Sequence, residues 1–199
     1  MFKKLSIIYL TAIFSTLSAS QYWQQFVTYK MDVRLDTSIH TLTGQSTITY
    51  KNNSPDTLYN FYLNLYANAF QEGTVKHREY MAGLGRTSRQ DRFKMGMDRY
   101  FSNYEITNFF IKQNEKVLAD TFKIDDTILS AKITGGLLPG GSISVDLDWV
   151  QKVGEFSERY GRVGKQYNFA QWYPRVVVYD ENGWFNEPFH AEGEFYGEF

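Results

Sequence analysis

The alternating stretch YKMDVRL at residues 29–35 decides the fold class. Its odd positions are apolar and its even positions are charged, which is the period-two pattern of a β-strand with one buried face. Residues 44–50 begin at Gly44 and are rich in Thr, Ile and Tyr, which favour strands. Turn-forming residues lie between the two segments, so the sequence predicts an antiparallel β-hairpin.

Further strands are predicted along the rest of the chain. Residues 61–66 are aromatic and branched with few polar positions, as in a central strand. The other predicted strands are 104–111, 117–124, 127–133 and 142–149, the last after a Pro-Gly-Gly turn. No segment after residue 20 shows a helical stripe. The sequence therefore predicts an all-β fold, an antiparallel β-sandwich or saddle-shaped sheet.

Residues 67–102 show neither a strand period nor a helix period and carry several basic side chains. Clustered positive charge could steer an acidic partner. Acidic residues are interspersed, however, and the whole chain has no basic excess, so we expect a solvated insertion. Residues 155–165 are likewise expected to form an exposed connection, because no phosphate-loop pattern follows them.

The first twenty residues have the features of a secretory signal peptide. Lys3 and Lys4 precede an apolar run from Leu5 to Leu17, and small residues end the segment at Ser20. The run of thirteen residues is shorter than the roughly twenty that span a bilayer. We expect a chain without a membrane span, exported to the periplasm or the extracellular space after cleavage near Ser20.

Composition limits the function classes. The sequence has 199 residues and a net charge of −1, which suits one domain and does not point to nucleic acid. It contains no Cys, so thiol catalysis and Cys-ligated metals are excluded. Aromatic residues make up 18% of the chain against only four Pro, as expected for a packed domain rather than a linker.

Few residues offer catalytic chemistry. His40, His77 and His190 are far apart in sequence, and none has a carboxylate at helical ligand spacing, so we expect no metal site in this chain. Glu192 and Glu194 alternate along a predicted strand and could act as paired carboxylates. The simpler interpretation is charge that faces solvent.

Exposed aromatic side chains could stack on sugar rings, and Trp172, Tyr173 and Trp184 are the candidates. The apolar run Val176-Val177-Val178 directly follows two of them. Such a run beside aromatic residues is more typical of a buried strand than of a binding face.

Two blocks of this sequence resemble the amino-terminal β-domain of M1-type, aminopeptidase N-like zinc metallopeptidases. The later block contains QWYPRVVVYD at 171–180, GW at 183–184 and GEFY at 193–196. The earlier block contains residues 29–33, 42–50, 52–56 and 63–70. The zinc-site signature of that family, His-Glu-x-x-His, and its substrate-binding signature, Gly-x-Met-Glu-Asn, do not occur here. After the expected signal peptide at 1–20, the resemblance implies an M1-like β-domain at 21–199 that is truncated at its C-terminal end, with the catalytic domain absent.

The resemblance also implies one substrate-binding residue. In the family, a Glu or Gln before an Arg of this block projects into the catalytic cleft and helps to bind the free amine of the substrate. Gln171 is the nearest amide before Arg175, and an amide oxygen can accept a hydrogen bond from an ammonium group. Typical members place this residue five positions before the Arg, where this chain has Ala170. The alternative is structural: Gln171 fixes a strand edge and Arg175 pairs with Asp180.

The function implied by the resemblance is that of a domain that shapes the substrate cleft of an exported zinc aminopeptidase. The chain would have no cofactor and no hydrolytic residues of its own. Zinc would lie in the missing catalytic domain, and the partners would be that domain and peptide substrates. Two alternatives remain: a non-catalytic M1-like scaffold, or an independent exported β-sandwich that binds a glycan or a surface partner.

Overall fold

A computed structural model describes residues 22–84, 100–155, 159–193 and 196–197. The expected signal peptide therefore lies outside the described residues. The strands are β1 (Phe26–Asp36), β2 (Thr41–Lys51), β3 (Leu58–Asn64), β4 (Asn103–Gln113), β5 (Lys116–Ala119), β6 (Lys123–Asp125), β7 (Ile128–Leu137), β8 (Ser142–Lys152), β9 (Tyr160–Val163), β10 (Gln166–Phe169), β11 (Arg175–Val176), β12 (Tyr179–Asp180) and β13 (Gly183–Trp184). Among the described residues, a 3-10 helix covers Tyr66–Phe70 and an α-helix, α1, covers Val75–Met81.

Two antiparallel sheets form the body of the fold. The larger has the strand order β1-β2-β8-β4-β5 and the smaller has the order β11-β3-β7-β6. The predicted hairpin is confirmed, because β1 and β2 pair along their whole length from Phe26↔Lys51 to Asp36↔Thr41. β3 lies inside the smaller sheet, which confirms its prediction as a central strand.

The core lies between the two sheets. Ile48, Val145 and Trp149 of the larger sheet and Phe61 and Leu63 of the smaller sheet have no exposed surface. Because alternate residues of a strand point to opposite faces, one face of each sheet contributes to this core. The chain thus has the predicted all-β, sandwich-like fold.

The prediction of one strand at 117–124 is wrong. β5 pairs with β4 in the larger sheet, whereas β6 pairs with β7 in the smaller sheet. The chain therefore crosses from one sheet to the other at residues 120–122. Both halves keep strand-forming residues, so local sequence does not reveal where the chain leaves one sheet for the other.

The expectation of no helix is also wrong. α1 begins after Thr74, whose hydroxyl accepts a hydrogen bond from the backbone N–H of His77, as an N-cap residue does. Lys76 and Tyr80 are four residues apart and lie buried on one face of the helix. Seven residues are too few to produce a recognisable stripe in the sequence.

The basic segment is therefore only partly a solvated insertion, because Lys76 is 2% exposed. The bases at 86–99 lie outside the described residues. The expectation for residues 155–165 is wrong in part as well, since β9 and β10 pair as a hairpin there. Residues 156–158 are not described.

Asn52 connects the larger sheet to the turns around it. Its side-chain nitrogen donates to the carbonyl oxygens of Asp56, at 2.7 Å, and Leu137, at 3.1 Å. Its side-chain oxygen accepts from the hydroxyl of Ser54 at 2.6 Å and from the amide of Gln25 at 3.2 Å. The side chain is fully buried, so these bonds replace those it would make with water.

Candidate functional site

Gln171 lies in a fixed turn. Its φ is 54°, in the left-handed region that residues other than Gly seldom adopt. Hydrogen bonds anchor the residues on both sides. Ala170 donates its N–H to the carbonyl of Arg159 at 3.0 Å. The carbonyl of Trp172 accepts from the side-chain amide of Gln151 at 3.0 Å and from the hydroxyl of Tyr104. Among the described residues the Gln171 side chain has no hydrogen-bond partner, and it is half-buried. The backbone of Gln171 is thus held in place, while its side-chain amide is not engaged by another described residue.

The residues after this turn bring together the two blocks of sequence that resemble the M1 family. Arg175 and Val176 form β11 and pair with Asn64 and Leu63 of β3. The N–H of Val176 donates to the hydroxyl of Tyr29 at 3.0 Å, although 147 residues separate them. Strands β1, β3 and β11 therefore meet at one place.

Asp180 does not pair with Arg175. The carboxylate of Asp180 accepts the backbone N–H of Asn182 at 2.7 Å, which closes the turn between β12 and β13. The expectation that these two residues form a structural ion pair is wrong for the described residues. A methyl group added to Gly197 would lie 3.0 Å from both terminal nitrogens of Arg175, so the chain at Gly197 passes directly over the guanidinium group.

Aromatic side chains surround Gln171 and β11. Trp172 contacts Trp149 of the core at 6.1 Å between ring centroids, and Tyr173 contacts Tyr29 edge to face at 5.2 Å. Trp184 stacks on Tyr50 at 6.0 Å and contacts Tyr179 at 5.1 Å. Trp172, Tyr173 and Trp184 are all half-buried. They pack on the core rather than form an open stacking platform.

Tyrosine hydroxyls near Arg175 stay protonated at neutral pH. Burial raises the pKa of Tyr66 to about 12, and the charge of Arg175 opposes that shift. Burial also raises the pKa of Tyr29, while the hydrogen bond from Val176 lowers it. These groups can donate and accept hydrogen bonds, but they do not supply a negative charge beside the guanidinium group.

A cleft of about 170 Å³ lies between the start of the 3-10 helix and the C-terminal segment. Its lining combines aromatic, amide and carboxylate groups: Asn64, Tyr66, Phe185, Glu187, Pro188, Phe189, His190, Glu192, Gly193 and Tyr196. Gln171 does not belong to this lining. The predicted amine-binding residue therefore lies outside this 170 Å³ cleft.

Glu79 of α1 holds one wall of this cleft. Its carboxylate accepts the backbone N–H of Ala191 at 2.7 Å and lies 2.6 Å from Nδ1 of His190. Burial alone would raise the pKa of Glu79, but these two contacts hold it below its usual value. Lys76 lies on the same helix, with its Nζ 3.6 Å from the ring centroid of Phe70 and 5.1 Å from that of Phe189.

The histidines do not converge. His40 contacts the hydroxyl of Tyr167, His77 accepts the N–H of Gly73, and His190 contacts Glu79. Within the described ranges, no three His, Cys, Asp or Glu side chains lie close enough together to hold a metal ion. Glu192 lies in a bend rather than in the expected strand, and Glu194 is outside the described residues.

No protein-family model matches the chain, and no curated protein shows significant similarity to it. The M1 resemblance therefore depends on the quoted residues and stays a prediction. In the part of the chain that the structure describes, no helix has the length and apolar character needed to cross a membrane.

Proposed function

We propose that this chain is the domain that shapes the substrate cleft of an exported, M1-like zinc aminopeptidase, and that Gln171 contacts the free amine of the peptide substrate. The observation that carries the proposal is the meeting of the two resembling blocks, where the N–H of Val176 donates to the hydroxyl of Tyr29 at 3.0 Å. If the two blocks derive from an M1-type β-domain, their residues are expected to lie together on one surface, as they do here.

The geometry of Gln171 supports its role. The anchors at Ala170 and Trp172 fix the backbone of the turn and so the direction in which the Gln171 side chain leaves it, and its amide oxygen can accept a hydrogen bond from an ammonium group. Positioning by a rigid backbone reduces the entropy lost on binding. Gln171 is thus suited to bind and orient an amine, with no part in proton transfer.

The described side chains do not fit a zinc site, because His40, His77 and His190 have separate partners. We assign no catalytic step to this chain. Hydrolysis in the proposed enzyme belongs to a domain with its own metal ligands, which the proposal places after Phe199.

The first test is the gene sequence downstream of the codon for Phe199. We expect an open reading frame that encodes Gly-x-Met-Glu-Asn and then His-Glu-x-x-His. A continued frame without the zinc ligands would favour the non-catalytic scaffold instead. A stop codon would favour the independent β-sandwich, which a glycan array can examine.

The second test concerns Gln171 in the protein that contains the zinc domain. Gln171→Ala removes a hydrogen bond to a charged group, so KM for a substrate with a free amino terminus should rise about tenfold or more. Gln171→Asn keeps an amide and tolerates the left-handed φ, so it should retain part of the affinity. Gln166→Ala on β10 is the matched control and should leave KM unchanged. Equal KM values for Gln171→Ala and the control would refute the role of Gln171.

A further inference from the structure

β1 is an edge strand whose inward face is only partly covered. Val27, Tyr29, Val33 and Leu35 pack against the core, yet each is half-buried, and Met31 lies on the same face by alternation. The inward residues of the neighbouring strand β2, such as Ile48 at 0% and Tyr50 at 1%, are fully buried. The smaller sheet therefore covers this face of β1 only in part: the hydroxyl of Tyr29 accepts the N–H of Val176 on β11, while the rest of the stripe stays half-buried.

The other edge of β1 is open along eleven residues. β1 pairs with β2 on one side, and no described strand pairs with it on the other. Such an edge presents unpaired N–H and C=O groups, which can pair with another strand. Proteins usually protect these edges with charges, and Lys30, Asp32 and Arg34 are exposed on the outward face of β1.

We infer that β1 pairs antiparallel with β1 of a second copy of this chain, around a two-fold axis at Met31. In this register Met31 lies opposite Met31 of the second copy, and Phe26 lies opposite Asp36. The register uses all eleven residues of β1. It would join two five-stranded sheets into one continuous ten-stranded sheet.

The charges on the outward face fit this register. Lys30 lies opposite Asp32 of the second copy, and the two-fold axis repeats the pair, while Arg34 lies opposite Thr28. Opposite charges directly across two strands are favourable, and like charges are unfavourable. Occupation by a second copy is therefore supported by charge complementarity within the strand itself.

Neighbouring registers do not place opposite charges across from each other. A shift of two residues in one direction places Asp32 opposite Asp32 and Lys30 opposite Arg34. A shift in the other direction places Lys30 opposite Lys30. A shift of a single residue would bring inward-facing side chains opposite outward-facing ones. The charges that protect the edge in general thus select one register.

The inward face is complementary in the same register. Tyr29 lies opposite Val33 of the second copy and Val27 lies opposite Leu35. An aromatic residue opposite a β-branched residue is a favourable cross-strand pair. The half-buried stripes of the two copies would lie side by side and contact each other, which would bury part of the apolar surface that the smaller sheet leaves exposed.

A single introduced cysteine tests the register. The sequence contains no Cys, so a new thiol in the 199-residue chain can pair only with a second copy. Met31→Cys places two thiols on the axis, where the Cα atoms of opposed residues are about 4.5–5.5 Å apart, within disulfide range. Val33→Cys is the matched control on the same face. Its two copies would be offset by four residues, or about 13 Å, which is too far for a bond.

We expect Met31→Cys to form a covalent dimer on mild oxidation, seen on a non-reducing gel, and Val33→Cys to remain largely monomeric. Equal crosslinking of both variants would overturn the register. Thermal melts of the reduced variants confirm that both are folded.

Charge reversal provides a second test that leaves the inward face unchanged. Lys30→Asp and Asp32→Lys each replace two attractive pairs with two repulsive ones, so each should raise the dimer dissociation constant about tenfold. The double variant restores opposite charges and should return the constant to near its original value. Sedimentation equilibrium measures all four proteins. A parent chain that stays monomeric at every accessible concentration, or a double variant that is as weak as the single ones, would overturn the inference.

Discussion

Gly44 allows Trp149 to occupy the core, and Gly44→Ala should therefore destabilise the fold strongly. The two residues are cross-strand partners on β2 and β8. A Cβ atom added to Gly44 would lie 2.2 Å from Cζ2 and 2.3 Å from Cε2 of the Trp149 indole. Trp149 has no exposed surface and donates from Nε1 to the hydroxyl of Ser46 at 3.0 Å. The added methyl group must therefore displace either the backbone or a ring that is buried and hydrogen-bonded.

The size of the effect follows from what must change. If the backbone moves apart to admit the methyl group, overpacking costs about 1–3 kcal/mol. If the ring moves instead, it loses the hydrogen bond to Ser46, about 1 kcal/mol, and the edge-to-face contact with Tyr104, about 1 kcal/mol, together with part of its burial. The second route gives about 2–4 kcal/mol, so the cost that both routes allow is about 2–3 kcal/mol in the free energy of unfolding.

Urea unfolding followed by circular dichroism measures this loss. With an m-value of about 2 kcal/mol/M, a loss of 3 kcal/mol lowers the midpoint by about 1.5 M. Gln45→Ala, at the exposed neighbouring position, should change stability by less than about 0.5 kcal/mol. In a Trp149→Leu background the clash is absent, so Gly44→Ala should cost less than about 1 kcal/mol there. The same cost in both backgrounds would refute the contact as the cause.

Two further predictions concern polar contacts. Asn52→Asp replaces a buried amide, which donates to the carbonyls of Asp56 and Leu137, with a carboxylate that would repel them. Urea unfolding should therefore show a loss of about 3–5 kcal/mol in the free energy of unfolding. The control Asn53→Asp, at the next residue, should cost far less. Glu79→Gln should lower stability at pH 7 by about 0.5–1 kcal/mol, because the carboxylate is partly exposed. The lowered pKa of Glu79 means that its contribution is present above pH 4.5, its unfolded value, and is lost as the pH falls through the folded value. The difference between the unfolding curves of the parent and the variant should therefore be largest at pH 7 and should shrink as the pH is lowered toward 3.

The parts of the fold that depend on local pattern were predictable from the sequence. The hairpin of β1 and β2 follows from strict alternation, since only one face of each strand can be buried. The turn at Pro139 and Gly140 follows from residue types that fit few other conformations, and Gly141 closes it by donating to the carbonyl of Leu138 at 2.9 Å. These features need no knowledge of distant residues.

The predictions that were wrong concern elements that depend on residues distant in sequence. The division of residues 117–124 into β5 and β6 depends on which sheet offers a partner, and neither partner strand is adjacent to residue 120. α1 is stabilised by contacts of Lys76 and Tyr80 with the core and by the contact of Glu79 with Ala191, 112 residues away. Short elements depend on tertiary packing more than on their own propensity.

The candidate site was likewise only partly predictable from the sequence. The sequence pointed to Gln171, but not to its left-handed φ or to the anchors at Ala170 and Trp172 that fix it. A Gln in an ordinary context gives no signal for positive φ, because Asn and Gly are the residues typical of that region. Glu79 and His190 were separated by too many residues to suggest a pair.

The proposed amine site and the proposed dimer edge share Tyr29. Its hydroxyl accepts the N–H of Val176, its ring contacts Tyr173, and its neighbour across the dimer axis would be Val33 of the second copy. Tyr173 is two residues from Gln171, and a packed partner beside Tyr29 would restrict that ring and the turn before it. The anchors at Ala170 and Trp172 already hold that turn in a single copy of the chain. KM for an amine-bearing substrate should therefore be the same in the oxidised and reduced forms of Met31→Cys, whose disulfide fixes the dimer without changing Tyr29. A lower KM in the oxidised form would show that the turn moves in the monomer, and would refute these anchors as sufficient to position Gln171.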